Sequence, residues 1–126
     1  MRMVLILDDD PDLRETVSGM LSEAGYSVCT AFDGDSALAK LAALPVDLIF
    51  MDYAIPSPAH GERFLGAKAA DQRIASIPVI LMSGYPVKPG LGGTAAVLRK
   101  PFDAETLLAT IGRLIGPPDG HGGNGS

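Results

Sequence analysis

Five polar side chains lie at or just after the end of short, mostly apolar runs, and they are Asp8, Asp9, Asp52, Ser83 and Lys100. The three carboxylates are hard oxygen ligands, which favour Mg²⁺ or Mn²⁺. Brought close together, they would repel one another unless a cation lay among them. A carboxylate can also attack phosphorus and form an acyl phosphate. The residue types therefore indicate metal-assisted phosphoryl transfer, provided that the fold brings them together.

Asp52 is the candidate nucleophile, because it stands alone at the end of its run, whereas Asp8 and Asp9 form a pair. Phosphoryl transfer requires positioning and positive charge around the equatorial oxygens of the transferred group more than covalent help. The metal would take one of these oxygens, the Lys100 ammonium a second and the Ser83 hydroxyl a third. Each of the five side chains thus has a possible role in one reaction.

The apolar runs are typical of strands buried on both faces of a parallel sheet. Five such strands are predicted, over 3–7, 26–31, 46–51, 78–82 and 95–99. Helical spacing of apolar residues and capping signals predict helices between them and after the last one. These helices are predicted over 11–24, 35–44, 61–73 and 103–115. Asp10 is interpreted as the cap of the first helix, with no catalytic role.

Strands that alternate with helices predict an α/β fold, a doubly wound five-stranded parallel sheet with helices on both faces. We expect the flavodoxin-like strand order 2-1-3-4-5, with the fourth helix short or absent because Pro and Gly crowd residues 86–93. In that order strands one and three are neighbours at the switch point, where ligands bind beyond the carboxyl ends of the strands. We therefore expect Asp8, Asp9 and Asp52 to lie within metal-binding range of one another.

The length of 126 residues suits one domain, which we place over 1–116, followed by a Gly/Pro-rich, disordered tail over 117–126. A formal net charge of −5 without a Lys/Arg cluster disfavours nucleic acid as a partner. No apolar stretch is long enough to cross a bilayer, and the N-terminal run lacks the features of a signal peptide. We therefore expect a cytoplasmic protein that does not contact membranes.

Four segments, taken in order, resemble the receiver domain of two-component response regulators, and the likeness covers about residues 2–115. The matching segments are Leu5–Asp10, Asp47–Asp52 followed by Pro56, Val79–Ser83 and Lys100–Phe102. Each segment alone is a weak signal, whereas all four in this order are specific. The resemblance implies a phosphoacceptor domain of a two-component phosphorelay, which signals through protein–protein contact.

By that resemblance, Asp52 is the phosphoacceptor, and Asp9 ligates Mg²⁺, or Mn²⁺ in its place, together with Asp52 and the backbone carbonyl of Ala54. Asp8 acts on the metal through water, and Lys100, joined to the following proline by a cis peptide, pairs with the phosphoryl group. The phosphodonor is a phosphohistidine on a sensor histidine kinase or a histidine phosphotransfer protein, and a downstream protein is the target. The chain is not expected to be an enzyme, beyond catalysing its own phosphorylation and dephosphorylation.

Three features depart from the family pattern. The turn between Pro56 and Gly61 is one residue longer than usual, and the stretch from Ser83 to Lys100 is shorter. Val97 stands where many receivers carry the Tyr or Phe that moves inward when the hydroxyl residue engages the phosphate. The chain therefore looks more like the receivers of hybrid kinases and of short single-domain regulators that lack a regular fourth helix.

Two further positions bear on the lifetime of the phosphoryl group. In receivers, the residues two beyond the phosphoacceptor and two beyond the hydroxyl residue help to place or exclude the hydrolytic water, and here these are Ala54 and Tyr85. Alanine offers no side-chain hydrogen bond to a water, and a tyrosine ring folded over the site would cover the approach. We therefore expect a long-lived acyl phosphate.

Two other functions stay open at this point. A phosphohydrolase of the haloacid-dehalogenase type also uses an aspartate after strand one, a later hydroxyl residue and a later lysine. It requires Asp-x-Asp-x-Thr, however, and Asp12 stands where that Thr belongs, while Asp52 would go unexplained. A pseudo-receiver would bind partners without phosphorylation, and it would lack an acid, the lysine or the nucleophile, all of which this sequence keeps.

Overall fold

The computed structural model describes residues 2–53, 57–84, 86–87 and 93–118, in which five strands alternate with four α-helices. In chain order they are β1 (Met3–Leu7), α1 (Pro11–Glu23), β2 (Ser27–Ala31), α2 (Gly34–Ala43), β3 (Leu48–Asp52), α3 (Pro58–Ala69), β4 (Val79–Ser83), β5 (Ala96–Arg99) and α4 (Ala104–Ile115). The strands form one parallel sheet in the order β2-β1-β3-β4-β5. The predicted α/β fold and the flavodoxin-like strand order are confirmed.

The sheet separates two hydrophobic layers, because successive side chains of a strand point to opposite faces. In β1, Val4 and Ile6 pack with residues of α1 and α4, whereas Leu5 and Leu7 pack with residues of α2 and α3. All four side chains are at most 1% exposed. A sheet covered on both faces explains why its strands are continuous apolar runs rather than alternating ones.

The start of α1 confirms the interpretation of Asp10 as a helix cap. Its carboxylate accepts a hydrogen bond from the backbone N–H of Asp12 at 2.9 Å and a longer one from Leu13. These bonds satisfy N–H groups that have no partner inside the helix. Gly25 follows the helix with a φ of 101°, the positive range that glycine adopts without steric cost.

The predicted bounds of α3 were wrong, because the helix runs over Pro58–Ala69 rather than over 61–73. Ser57 caps it with its side chain, and a proline follows at the first helical position, the same signal that starts α1. Beyond Ala69 the chain turns about Asp71, whose side chain accepts a hydrogen bond from the Arg73 backbone N–H at 3.0 Å. The early start of α3 brings its first turns close to the end of β3.

The segment between β4 and β5 contains no α-helix among its described residues, which are 84, 86–87 and 93–95. Residues 85 and 88–92 lie outside the described ranges, so the expectation of a missing or short helix at this place stays a prediction. The fourth helix of the structure, α4, follows β5 instead. Both β3 and β4 extend one residue further than predicted, so Asp52 and Ser83 belong to their strands.

Candidate functional site

Strand register brings the predicted site residues to one edge of the sheet. Leu7 lies opposite Met51, so Asp8 follows β1 at the level where Asp52 ends β3. On the other side, Asp52 lies opposite Met82, and the next residue is Ser83. This edge is formed by the carboxyl ends of the strands, where ligands of doubly wound sheets bind.

Lys100 is joined to this edge through both its backbone and its side chain. Its backbone N–H donates to the Ser83 carbonyl at 2.8 Å, which extends the pairing of β4 and β5. Its ammonium Nζ lies 2.7 Å from Oδ2 of Asp52. The Lys100–Pro101 peptide is cis, as the resemblance implies. The predicted convergence of Asp52 and Lys100 is therefore observed as a direct, charge-assisted hydrogen bond.

The residues after Lys100 anchor it to the core. Phe102 stacks edge-on against Phe50 of β3, with ring centroids 5.6 Å apart. Phe50 is completely buried, and Phe102 is partly buried beside it. This aromatic pair links the start of the last loop to the middle of the strand that carries Asp52.

Asp8 is a buried carboxylate, with only 1% of the residue exposed. Its Oδ1 accepts a hydrogen bond from the Asp10 backbone N–H at 2.8 Å, whereas its buried Oδ2 finds no partner among the described residues. Burial is the main cause that raises the pKa of Asp8 to about 6, and the nearby charge of Asp52 adds to it. A buried carboxylate oxygen without a partner is suited to a cation or a bound water.

The structure does not bring three acids together as tightly as the sequence predicted. Within the described ranges, no three His, Cys, Asp or Glu side chains are grouped so that they could hold one metal ion. Asp9 is exposed, and an oxygen of Asp52 is taken by Lys100. The donor types nevertheless fit a hard divalent cation, because the buried Oδ2 of Asp8 has no partner among the described residues and Asp8 feels the charges of Asp52 and Asp9.

Other predicted site residues are partly described. Ser83 ends β4 and is 2% exposed, at the same edge as Asp52. Val97 is half-buried and packs against the layer that α2 and α3 cover. Ala54 and Tyr85, on which the metal-binding carbonyl and the phosphate lifetime depend, lie outside the described residues, as does Pro56.

The sequence did not point to two contacts near the site. The Arg14 guanidinium of α1 donates to the Asp8 carbonyl at 2.7 Å, which ties the acidic loop to the helix that follows it. The Tyr53 hydroxyl donates to Glu62 of α3 at 2.7 Å. The contact between Tyr53 and Glu62 could have been predicted only from the early start of α3, which Ser57 and the following proline signal.

A parallel α/β sheet of this strand order, with acids and a lysine gathered at its carboxyl edge, defines a receiver-type signalling domain. The family model described as the response regulator receiver domain matches residues 4–112. The chain therefore belongs to the response regulator receiver domain family.

Curated relatives support this membership. The nitrogen assimilation regulatory protein NtrX of Azorhizobium caulinodans is 34% identical over 120 residues, which are 89% of this chain and 26% of that protein. The transcriptional regulator RpaA of Synechocystis, named as DNA-binding, is also 34% identical, with 49% of its length covered. The chain thus spans half or less of these two relatives. Protein PilG of Pseudomonas aeruginosa is 33% identical over 86% of this chain and 83% of its own length.

Solved structures have the same fold. The chemotaxis response regulator CheY4 of Vibrio cholerae superposes with a TM-score of 0.81 at 34% identity, over 90% of this chain and 98% of that one. The receiver domain of a Pseudomonas aeruginosa sensor histidine kinase superposes with a TM-score of 0.78 at 24% identity, and it holds a magnesium ion in its active-site cleft.

The expectations that the chain contacts neither membranes nor nucleic acid are tested only in part. None of the helices in the described part of the chain is both long and apolar enough to cross a bilayer. Because relatives include a regulator named as DNA-binding, the expectation that nucleic acid is not a partner stays a prediction.

Proposed function

We propose that this chain is the phosphoacceptor of a two-component phosphorelay, phosphorylated on Asp52 by a phosphohistidine donor in the presence of Mg²⁺. One observation carries the proposal: the Lys100 ammonium lies 2.7 Å from the Asp52 carboxylate, at the strand edge that also bears the buried Asp8. Membership of the receiver family supports it. So does the confinement of these groups to the ligand-binding edge of the sheet.

In the proposed reaction, a carboxylate oxygen of Asp52 attacks the phosphorus of the donor. The new oxygen–phosphorus bond forms as the phosphorus–nitrogen bond of phosphohistidine breaks, and the imidazole leaves and takes up a proton. Lys100 balances the charge of Asp52 before transfer and can pair with a phosphoryl oxygen afterwards. The Ser83 hydroxyl, at the end of β4, is the proposed donor to another phosphoryl oxygen.

The proposed metal site consists of Asp8, Asp9, Asp52 and the backbone carbonyl of Ala54. Mg²⁺, or Mn²⁺ in its place, supplies charge neutralisation on the transferred group when bound. The fit is supported by the buried Oδ2 of Asp8, which finds no partner among the described residues. Membership of the receiver family supports the assignment of Asp9 as a direct ligand and of Asp8 as a residue that acts on the metal through water.

The proposed phosphodonor is a sensor histidine kinase or a histidine phosphotransfer protein in the cytoplasm, and a downstream protein is the proposed target. A relative of hybrid type supports the first part, since hybrid signal transduction histidine kinase D of Dictyostelium discoideum is 29% identical over 118 residues. The match covers 8% of that protein. We propose no activity beyond the chain's own phosphorylation and dephosphorylation.

The phosphoacceptor is tested by mass spectrometry after incubation with acetyl phosphate and Mg²⁺. The wild type should gain about 80 Da, the mass of one phosphoryl group. Asp52→Asn should gain nothing, because it lacks the nucleophilic oxygen. Asp35→Asn makes the same chemical change at an exposed aspartate of α2 and should react like the wild type.

An adduct that persists in Asp52→Asn would reject the assignment of the nucleophile. A wild type that takes up no phosphoryl group from acetyl phosphate or from a phosphohistidine donor would favour a pseudo-receiver instead. Steady release of phosphate from a small phosphoester would favour the phosphohydrolase alternative.

A further inference from the structure

The residue after the proposed phosphoacceptor is held in place by the first turns of α3. The Tyr53 backbone N–H donates to the Met82 carbonyl at 3.0 Å, which continues the pairing of β3 with β4. The Tyr53 hydroxyl donates to Oε2 of Glu62 at 2.7 Å. The Tyr53 carbonyl lies directly against Gly61. Tyr53 is therefore contacted by the sheet on one side and by two consecutive residues of α3 on the other.

Gly61 is required here for space rather than for backbone conformation. Among the described glycines, only Gly25, Gly93 and Gly116 have a positive φ, so Gly61 has an ordinary helical backbone. A Cβ at residue 61 would collide with the Tyr53 carbonyl oxygen and would lie 3.3 Å from the carbonyl carbon. Because both partners are backbone, neither can move aside by rotating a side chain. A larger residue would displace either α3 or the chain that leaves β3.

Tyr53 matters because a peptide bond joins it directly to Asp52, the proposed phosphoacceptor and a proposed metal ligand. The Asp52 carbonyl group and the Tyr53 backbone nitrogen lie in one rigid plane. A displacement of Tyr53 therefore moves the backbone of Asp52 with it. The position of this proposed ligand thus depends on how Tyr53 is held.

We propose that Gly61 and Glu62 are positioning residues for the phosphorylation site. Gly61 sets the place of the Tyr53 backbone carbonyl by close approach, and Glu62 holds the hydroxyl end of the Tyr53 side chain. The start of α3 thereby supports the metal site, although neither residue is a proposed ligand. This inference rests on the proposed function, because it concerns the site that binds Mg²⁺ there.

The test compares Gly61→Ala with Gly66→Ala in the full chain. Both replacements add one methyl group on α3, and both gain the same helix propensity. A Cβ at residue 66 meets no atom within 4 Å in the described structure, whereas one at residue 61 meets the Tyr53 carbonyl. The Mg²⁺ dissociation constant is measured by amide chemical-shift titration, and circular dichroism verifies that each variant is folded.

Gly61→Ala should bind Mg²⁺ about 10–100-fold more weakly than the wild type, the usual effect of disturbing residues that orient metal ligands. Gly66→Ala should bind it like the wild type. Equal dissociation constants for the two folded variants would overturn the role of Gly61.

A second pair of variants addresses Glu62 and serves if Gly61→Ala does not fold. Glu62→Ala and Glu62→Gln both remove the negative charge, but only glutamine keeps an oxygen that can accept the Tyr53 hydroxyl. Glu62→Ala should bind Mg²⁺ about threefold more weakly than Glu62→Gln, the effect of one modest hydrogen bond. Equal affinities would overturn the role of Glu62, and with it the proposal if Gly61→Ala is unfolded.

The phosphoryl adduct of the wild type separates this inference from the proposed function. If the adduct forms while Gly61→Ala keeps wild-type Mg²⁺ affinity, only the positioning role is rejected. If Gly61→Ala loses Mg²⁺ affinity while the wild type forms no adduct, only the phosphoacceptor role is rejected.

Discussion

Two carboxylates of the site lie in opposite environments at the scale of single residues. Asp8 is 1% exposed, and burial raises its pKa to about 6. Asp52 instead faces the Lys100 ammonium, 2.7 Å away. The charge of Asp52 is thus balanced within the protein. Asp8, by contrast, accepts one backbone hydrogen bond at Oδ1, and its Oδ2 has no partner among the described residues. Burial with so few partners therefore makes the charged form of Asp8 costly to the fold and favours a cation beside it.

Asp8→Asn should stabilise the metal-free protein at neutral and alkaline pH. The folded pKa of Asp8, about 6, lies above its ordinary value of 3.8, so the folded state binds the proton more tightly. The stability that Asp8 contributes is fully present below about pH 4 and is lost as the pH rises through about 6. At about pH 8 the variant should therefore be about 1–3 kcal/mol more stable than the wild type, with little difference at about pH 4.

Urea unfolding in the presence of a chelator, at both pH values, measures this effect. Asp9→Asn is the control, since Asp9 is exposed and its replacement should change stability little at either pH. A stability difference between Asp8→Asn and the wild type that does not change with pH would contradict the burial of an ionisable Asp8.

At the scale of elements, the described residues of the connection between β4 and β5 form no α-helix. Val97 of β5 is a half-buried valine without a ring that could follow Ser83 inward. Thr94, just before β5, is 8% exposed, and its hydroxyl finds no partner among the described residues. A change at Ser83 is therefore expected to be passed along this connection rather than through an aromatic side chain of β5.

Addition of a phosphoryl mimic with Mg²⁺ should shift the amide resonances of Gly84, Val87, Gly93 and Thr94. Rearrangement of a loop is an established way to convert a local charge into a changed surface. Amide chemical-shift mapping measures the effect, and Asp52→Asn with the same mimic is the control that should show no shift. Shifts confined to α1 and α2, with the connection unchanged, would contradict this route.

On the scale of the whole molecule, the carboxyl edge of the sheet and the opposite edge have different roles. The site occupies the carboxyl edge, and the residues after α4 return to the opposite edge. There the Tyr26 hydroxyl donates to the Gly116 carbonyl at 3.0 Å, and the Arg2 backbone N–H donates to the Pro118 carbonyl at 2.6 Å. Contacts with the domain thus reach residue 118, inside the tail that was predicted to be disordered over 117–126, and the part of this tail from 119 onward lies outside the described residues.

Tyr26→Phe should destabilise the fold without affecting phosphorylation. Tyr26 is 6% exposed, so loss of its hydroxyl leaves the Gly116 carbonyl without this partner in a largely buried place. The expected cost is about 1 kcal/mol. Urea unfolding measures it, and the mass shift with acetyl phosphate should remain, since the site is at the other edge.

Tyr53→Phe is the matched control for Tyr26→Phe, because it removes a hydroxyl from an exposed hydrogen bond and should cost less stability. Equal stability of Tyr26→Phe and the wild type would mean that the return of residues 116–118 does not support the fold.

Much of this architecture could be predicted from the sequence, since its signals are local. Strands buried on both faces require continuous apolar runs, and parallel strands place the residues that end those runs at one edge. Asp10 could be recognised as a cap because capping depends on neighbouring backbone N–H groups alone. Where the local signal was overlooked, as at Ser57 before α3, the predicted helix began too late.

Three features were decided only by the tertiary structure, because they depend on distances between segments far apart in the chain. The hydrogen bond between Lys100 and Asp52 joins residues 48 positions apart, and strand register sets its length. The pKa of Asp8 depends on how completely neighbouring elements cover it. The contact between Gly61 and the Tyr53 carbonyl requires α3 to approach β3 backbone to backbone. Residue types determine which chemistry is possible, but packing determines which groups touch and how deeply they are buried.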